Sequence, residues 1–219
     1  MRRECALNHF ELSLEFLNNE LALVGQLQVG SEEAYEVLIS LYQAPVYGLA
    51  YRILGDPAEA ADAAQETFVK IFKGIKKFRG ECGLKTWIYK VTISESLNRR
   101  RWWKRWKKHE PVSIDEPLDS DGYESRRPRE IEDLTQCPEA AFSRREIESA
   151  VHEALKEIAV EYRIAVILRD MEGLSYEEIA DTLRVSLGTV KSRLWRGRME
   201  LKKAIQPFLS NQSGYNEVR

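Results

Sequence analysis

Cysteine and histidine are both scarce in this 219-residue chain, with three of each. Cys5, Cys82 and Cys137 are odd in number and far apart, and none has metal-ligand spacing with His9, His109 or His152. That pattern excludes a disulfide framework or a zinc site and suits reduced thiols in a cytoplasmic protein. Long apolar runs are missing too, and nothing approaches the ~20 residues needed to span a bilayer. After Met1-Arg2-Arg3, the acids Glu4, Glu11, Glu15 and Glu20 interrupt any signal-peptide core, so neither secretion nor membrane insertion is expected. Strand-like alternation and internal repeats are also absent. The Asp and Glu residues are not paired with histidine or at metal spacing, so we expect no catalytic residues, no metal and no cofactor. A hydrolase or nuclease is the reading this excludes.

Net charge is nearly absent, at -2, but the charge is strongly segregated. Seven of the ten residues from Arg99 to Lys108 are basic, whereas His109 to Glu139 holds ten acids against three arginines. The acidic stretch carries prolines, serines and a glycine and is poor in large apolar residues. We read 109–138 as a flexible acidic linker that would reach about 100 Å if extended. The expected fold is all-α, with two small helical domains on either side of that linker. The boundaries are 1–30 for a helical N-terminal extension, 31–108 for the first domain, 139–209 for the second and 210–219 for a polar tail.

The most informative stretch is Leu174 to Lys203, which has the pattern of a helix-turn-helix. Ser175 is placed as an N-cap with Glu178 three residues on as its capping-box partner. After Arg184-Val185-Ser186, Ser186 caps a second helix whose stripe of Leu187, Val190, Leu194 and Leu201 is expected to face the core. The opposite face carries Thr189, Ser192, Trp195, Arg196 and Met199, flanked by Lys191, Arg193 and Arg198. Residues 187–203 hold six basic side chains against one acid, an imbalance that suits phosphate contact. A solvated basic helix would share the charge, but not the two caps, the short turn and the polar face.

The first domain reads as helices separated by turn chemistry. Phe10 to Leu27 has apolar residues at helical spacing, and Ser31 opens a helix running toward Leu54, with Pro45 as a kink or break. Asp56-Pro57 is an N-cap followed by proline at the first helical position, starting a helix to about Lys77. Phe78 to Gly83 is a loop, after which a helix carries Trp87, Val91, Ser94 and Asn98 into the Arg/Trp/Lys cluster. The acidic face from Ala58 to Phe68 is either a docking surface or solvated. Phe78, Trp87 and Tyr89 beside Arg79, Lys85 and Lys90 suit base stacking on a single strand, although Trp87 and Tyr89 read equally as core.

These motifs together resemble the extracytoplasmic-function sigma factors of bacterial RNA polymerase, within the sigma-70 family. The resemblance covers about Glu32 to Arg105 and Ala140 to Ile205. G-D-P-A-E-A-A-D-A-A-Q-E-T-F is similar to the family's polymerase-binding helix, which implies that Asp62, Gln65, Glu66 and Phe68 meet the clamp helices of the largest polymerase subunit. F-R-G-E-C-G-L-K-T-W-I-Y-K-V resembles the segment that opens and reads the minus-10 element, implying roles for Phe78, Arg79, Lys85, Trp87 and Lys90, with Asn98 and Arg99 at the duplex edge. G-T-V-K-S-R-L-W-R-G-R resembles the minus-35 reader. There Lys191 and Arg193 would hold phosphates, and Thr189, Ser192, Trp195 and Arg196 would lie at the bases. The linker would thread through polymerase channels that otherwise hold nucleic acid, and an anti-sigma factor is an implied partner. The chain departs from the family at Cys82-Gly83-Leu84, at Ser94 and Asn98, and at Arg184, where the turn usually carries glycine. The alternative reading is a stand-alone helix-turn-helix regulator, which would need a dimer and a palindromic operator.

Overall fold

The structure, a computed structural model, describes residues 20–109 and 138–216, with side chains described over 20–101 and 146–208. The expected acidic linker, the Phe10–Asn19 part of the first helix and the side chains of the Trp102–Lys108 cluster lie outside the described residues. The described fold is all-α, in two domains. The first contains α1 (Glu20–Val29), α2 (Glu32–Leu54), α3 (Pro57–Gly74), a 3-10 turn (Ile75–Lys77) and α4 (Leu84–His109). The second contains α5 (Pro138–Glu157), α6 (Val160–Val166), a π-helical turn (Ile167–Met171), α7 (Tyr176–Leu183) and α8 (Leu187–Asn216).

Local chemistry sets most of the helix ends. The Ser31 side chain accepts from the Ala34 N–H and Asp56 from the Glu59 N–H, so each supplies an acceptor to the unpaired donors of a first turn. Gly55 ends α2 in the left-handed region, at φ 82°, a conformation that costs glycine little. The N-terminus of α4 takes its acceptor from α1 instead: Glu20 Oε1 receives the Leu84 N–H at 2.7 Å.

Of the two outcomes expected at Pro45, a break does not occur: α2 runs continuously through it. Proline removes one backbone bond, but Leu38, Val46, Leu49 and Ile53 are fully buried on either side of it, and their packing keeps the helix whole. At the other end of the described chain, α8 continues through Pro207 to Asn216 and so takes in most of the expected polar tail. No apolar periodicity marks those last residues, so pattern reading had nothing to follow there.

The first domain's core is built from Val37, Leu38, Leu49, Ile53, Ile71, Ile75 and Ile88, and the second's from Leu155, Ile164, Ile167, Ile179, Val190 and Leu194. These residues form one contiguous buried cluster, so the domains are packed against each other. Leu187, at the first position of α8, departs from the expected stripe: it is 43 % exposed, whereas Val190 and Leu194 are buried. Among the described residues, no helix is long and apolar enough to cross a membrane.

Candidate nucleic-acid interface

The helix-turn-helix forms by the expected local chemistry. Ser175 Oγ accepts from the Glu178 N–H at 3.1 Å, while Glu178 Oε2 accepts from the Ser175 N–H at 2.8 Å. Arg184 ends α7 in the left-handed region, at φ 53°, and the next N–H, that of Val185, donates to Ala180 O at 3.0 Å. A non-glycine residue in this conformation costs about 1 kcal/mol, and the closed turn absorbs that cost. Ser186 Oγ then accepts from the Thr189 N–H at 3.2 Å, starting α8.

Packing decides which face of α8 is free. Val190 and Leu194 are buried, and Gly197 sits so close to α6 that an added Cβ would lie 3.0 Å from Tyr162 O. On the other side Lys191, Ser192, Trp195 and Arg196 are exposed, with Thr189 and Arg193 half-buried beside them. Trp195 is 66 % exposed, unusual for so large an apolar ring in a folded domain. Arg196 Nη1 donates to the Tyr162 hydroxyl at 2.9 Å, with its guanidinium 5.8 Å from that ring's centroid. Tyr162 thus orients Arg196, a role that could not be read from the sequence because the two are 34 residues apart. Arg198 is held at 2.9 Å by Asp170, which raises its pKa above the ordinary value and anchors α8 to the π-helical turn.

In the first domain, Asp62, Gln65 and Glu66 are exposed on α3, whereas Phe68 is half-buried against the core. Arg99 on α4 forms ion pairs with both Glu59 and Asp62. Asp62, Gln65, Glu66, Asn98 and Arg99 consequently line one open groove of about 730 Å³. The structure therefore brings together residues that sequence reasoning assigned to two separate surfaces.

The Phe78–Gly83 loop is braced from α1, where Gln28 Nε2 donates to Phe78 O at 2.8 Å. Phe78 and Trp87 lean on each other at 5.1 Å and pack against the core, while Arg79 is exposed. Lys85, which is exposed, and Lys90, which is half-buried, both reach groups of the second domain. Lys85 Nζ donates to Glu172 O at 3.0 Å, and Lys90 forms an ion pair with Asp181. Between them, Thr86 Oγ1 donates to Glu178 Oε1 at 2.9 Å and the Tyr89 hydroxyl to Glu172 Oε2 at 2.5 Å. Arg52 meets the same Glu172 at 2.9 Å. Burial and the Glu172 hydrogen bond hold the Tyr89 phenol well above its ordinary pKa, so it stays a donor.

At the other end of the contact between domains, Arg163 is only 4 % exposed and donates to Ile53 O at 2.8 Å, Lys156 O at 2.6 Å and Ile158 O at 3.1 Å. Burial lowers its pKa to about 10, which leaves it charged at neutral pH. His152 stacks on Tyr51 with ring centroids 4.1 Å apart, and burial pushes its pKa below 6.5, so it is neutral there.

A capped helix-turn-helix with a free basic and aromatic face, carried beside a second helical domain, defines the class: an all-helical DNA-binding protein of two domains. Residues 38–108 match sigma-70 region 2, and residues 148–201 match sigma-70, region 4. The chain is 35 % identical over 187 residues to the RNA polymerase sigma-H factor of Pseudomonas aeruginosa, covering 85 % of this chain and 94 % of that one. It is 31 % identical to the ECF RNA polymerase sigma-E factor of Haemophilus influenzae, over 86 % of this chain and 96 % of the relative. The fold is shared with the sigma factor RpoE solved with the anti-sigma factor NepR from Bartonella quintana, at TM-score 0.58 and 21 % identity, covering 78 % of this chain and 96 % of that one. It is shared also with CnrH solved with the cytosolic domain of CnrY, at TM-score 0.57 and 16 % identity, covering 85 % and 96 % respectively. The chain belongs to the sigma-70 family, in its extracytoplasmic-function group, and is a sigma factor for transcription initiation by RNA polymerase. Such a factor is not itself an enzyme.

Proposed function

We propose that this chain binds core RNA polymerase in the cytoplasm through Asp62, Gln65, Glu66 and Phe68 on α3 and directs it to promoters by two grips. The second domain reads the minus-35 element: α8 enters the major groove, Lys191 and Arg193 hold phosphates, and Ser192, Trp195 and Arg196 reach base edges, with Thr189 beside them. The first domain engages the minus-10 element and promotes strand opening. Phe78, Arg79, Lys85, Trp87 and Lys90 meet the separated strand, and Asn98 and Arg99 meet the duplex edge. Each grip is weak alone, and polymerase holds the two in register so that specificity emerges only in the holoenzyme. An anti-sigma factor is an expected partner, since the Bartonella neighbour is solved in complex with one.

The observation that carries this reading is the exposed face of α8, where Trp195 stands out in solvent next to an Arg196 that Tyr162 holds in place. An exposed tryptophan beside oriented cations has little to do in a domain without a ligand, and suits a grooved polyanion. The test is transcription in vitro with core polymerase and a promoter library. The chain should redirect polymerase to a distinct set of paired upstream and downstream elements, and failure to redirect it to any promoter would sink the proposal.

A further inference from the structure

A second cavity, of about 420 Å³, lies where α4 of the first domain meets α6, α7 and α8 of the second. Its lining combines two chemistries. Arg100 and Arg101 belong to α4 and Arg193 to α8, while Leu97, Ile164 and Leu183 supply an apolar wall. Glu161 is the single carboxylate in the lining, and it is exposed. Other arginines of the chain are already held: Arg52 by Glu172, Arg99 by Glu59 and Asp62, Arg196 by Tyr162 and Arg198 by Asp170. Neither Arg100 nor Arg193 has a hydrogen-bond or ion-pair partner among the described residues. Arg100 Nη1 is also buried, and a charged donor withdrawn from water without an acceptor is a costly arrangement that a bound anion relieves. Arg163, next in the chain to Ile164, has a buried Nε that likewise lacks an acceptor, and the charge of Arg100 adds to burial in lowering its pKa. Positive charge is thus concentrated at this point of the fold.

We infer that this cleft binds a nucleoside triphosphate, its phosphates on Arg100 and Arg193 and its base against Leu97, Ile164 and Leu183. Guanidinium forks match phosphate oxygens two at a time, and two forks from different helices suit a chain of phosphates better than a lone carboxylate. An inorganic anion would leave the apolar wall uncovered. A planar base covers it, and ribose hydroxyls can donate to Glu161. A volume of about 420 Å³ falls within the range of small-ligand sites, about 300–1,000 Å³. Because one fork comes from each domain, the ligand bridges the two. Arg193 is also a proposed phosphate holder on the minus-35 element, so the cleft and the upstream duplex draw on the same guanidinium.

The test is calorimetric titration of the full chain with ATP, GTP and inorganic tripolyphosphate at about 0.15 M salt, which screens loose attraction to the basic run of α4. At least one nucleotide should bind at a single site, and tripolyphosphate should bind about tenfold more weakly for want of the apolar contact. Arg100→Gln and Arg193→Gln, one from each domain, should each weaken the nucleotide by about tenfold. Lys104→Gln, farther along the same basic run, and Lys191→Gln, on the exposed face of α8, remove the same charge and should leave binding unchanged. Arg100→Lys keeps the charge but not the fork, and should bind between wild type and Arg100→Gln. Circular-dichroism melts of the variants without ligand separate lost binding from lost folding; if Arg100→Gln does not fold, Arg193→Gln and Arg100→Lys carry the comparison. The inference is overturned if neither nucleotide binds at about 1 mM, or if tripolyphosphate binds as tightly as the nucleotides. It is equally overturned if all four charge-removing variants weaken binding alike, or if only one of the two cleft arginines matters.

Discussion

Gly197→Ala is the substitution whose effect can be worked most directly from the structure. Gly197 lies where α8 crosses α6, and an added Cβ would stand 2.6 Å from Val166 Cγ2, 3.0 Å from Tyr162 O and 3.3 Å from Tyr162 C. A rotamer change could move the valine methyl. The carbonyl belongs to the α6 backbone, so the helices must separate by a few tenths of an ångström. Overpacking of this kind costs about 1–3 kcal/mol. Alanine's helix preference over glycine returns about 1 kcal/mol at most, leaving a net loss of up to about 2 kcal/mol. For a domain of this size that is a drop in Tm of up to about 15 °C, measurable by circular dichroism. Gly25 on α1 is the control: nothing lies within 4 Å of its would-be Cβ, so Gly25→Ala should raise stability by about 0.5–1 kcal/mol. A Gly197→Ala protein that melts at or above wild type would refute the close-approach argument.

Four further outcomes are expected. Arg184→Gly relieves the left-handed turn at φ 53° and should stabilise the chain by about 0.5–1 kcal/mol in urea unfolding; a loss of stability would mean the arginine contributes more than its strain. Arg163→Ala leaves three carbonyls without their donor and should cost about 2–4 kcal/mol, read from the shift in unfolding midpoint at constant slope. Arg196→Ala, at an exposed residue tied among the described residues to Tyr162 and neighbouring charge, should leave the melt unchanged and reduce transcription from promoters with an intact upstream element by about tenfold. The Glu178 carboxyl is held below its ordinary 4.5 by the Ser175 N–H and Thr86. Its contribution is thus present above that value and fades as pH falls through the lowered one. Between pH 5.5 and 3 wild type should lose more melting temperature than Glu178→Gln, and parallel losses would count against the assignment.

Much of the second domain was legible in the sequence because its signals are local. The capping box of Ser175 and Glu178, the cap at Ser186 and the turn at Arg184 each span three or four residues, and each forms where the residues call for it. Asp56 before Pro57 and Ser31 are the same kind of signal. Proline's backbone penalty at Pro45 is local, whereas the Leu38, Val46 and Leu49 contacts that keep α2 continuous through it are not. Leu187 misled because periodicity can place a residue on a stripe without saying how far the stripe is covered.

The sequence by itself determined the all-helical architecture, the helix-turn-helix with its basic face and the family, since spacing, capping and charge segregation are properties of the chain read in order. Only the tertiary structure decided that Tyr162 orients Arg196, that Arg99 is paired with Glu59 and Asp62 beside the acidic face, and that Lys85 and Lys90 face Glu172 and Asp181. Those pairs are separated by 34 to 91 positions. A charge in sequence specifies what it can bind but not which partner reaches it first, and that depends on the packing that closes the two domains against each other.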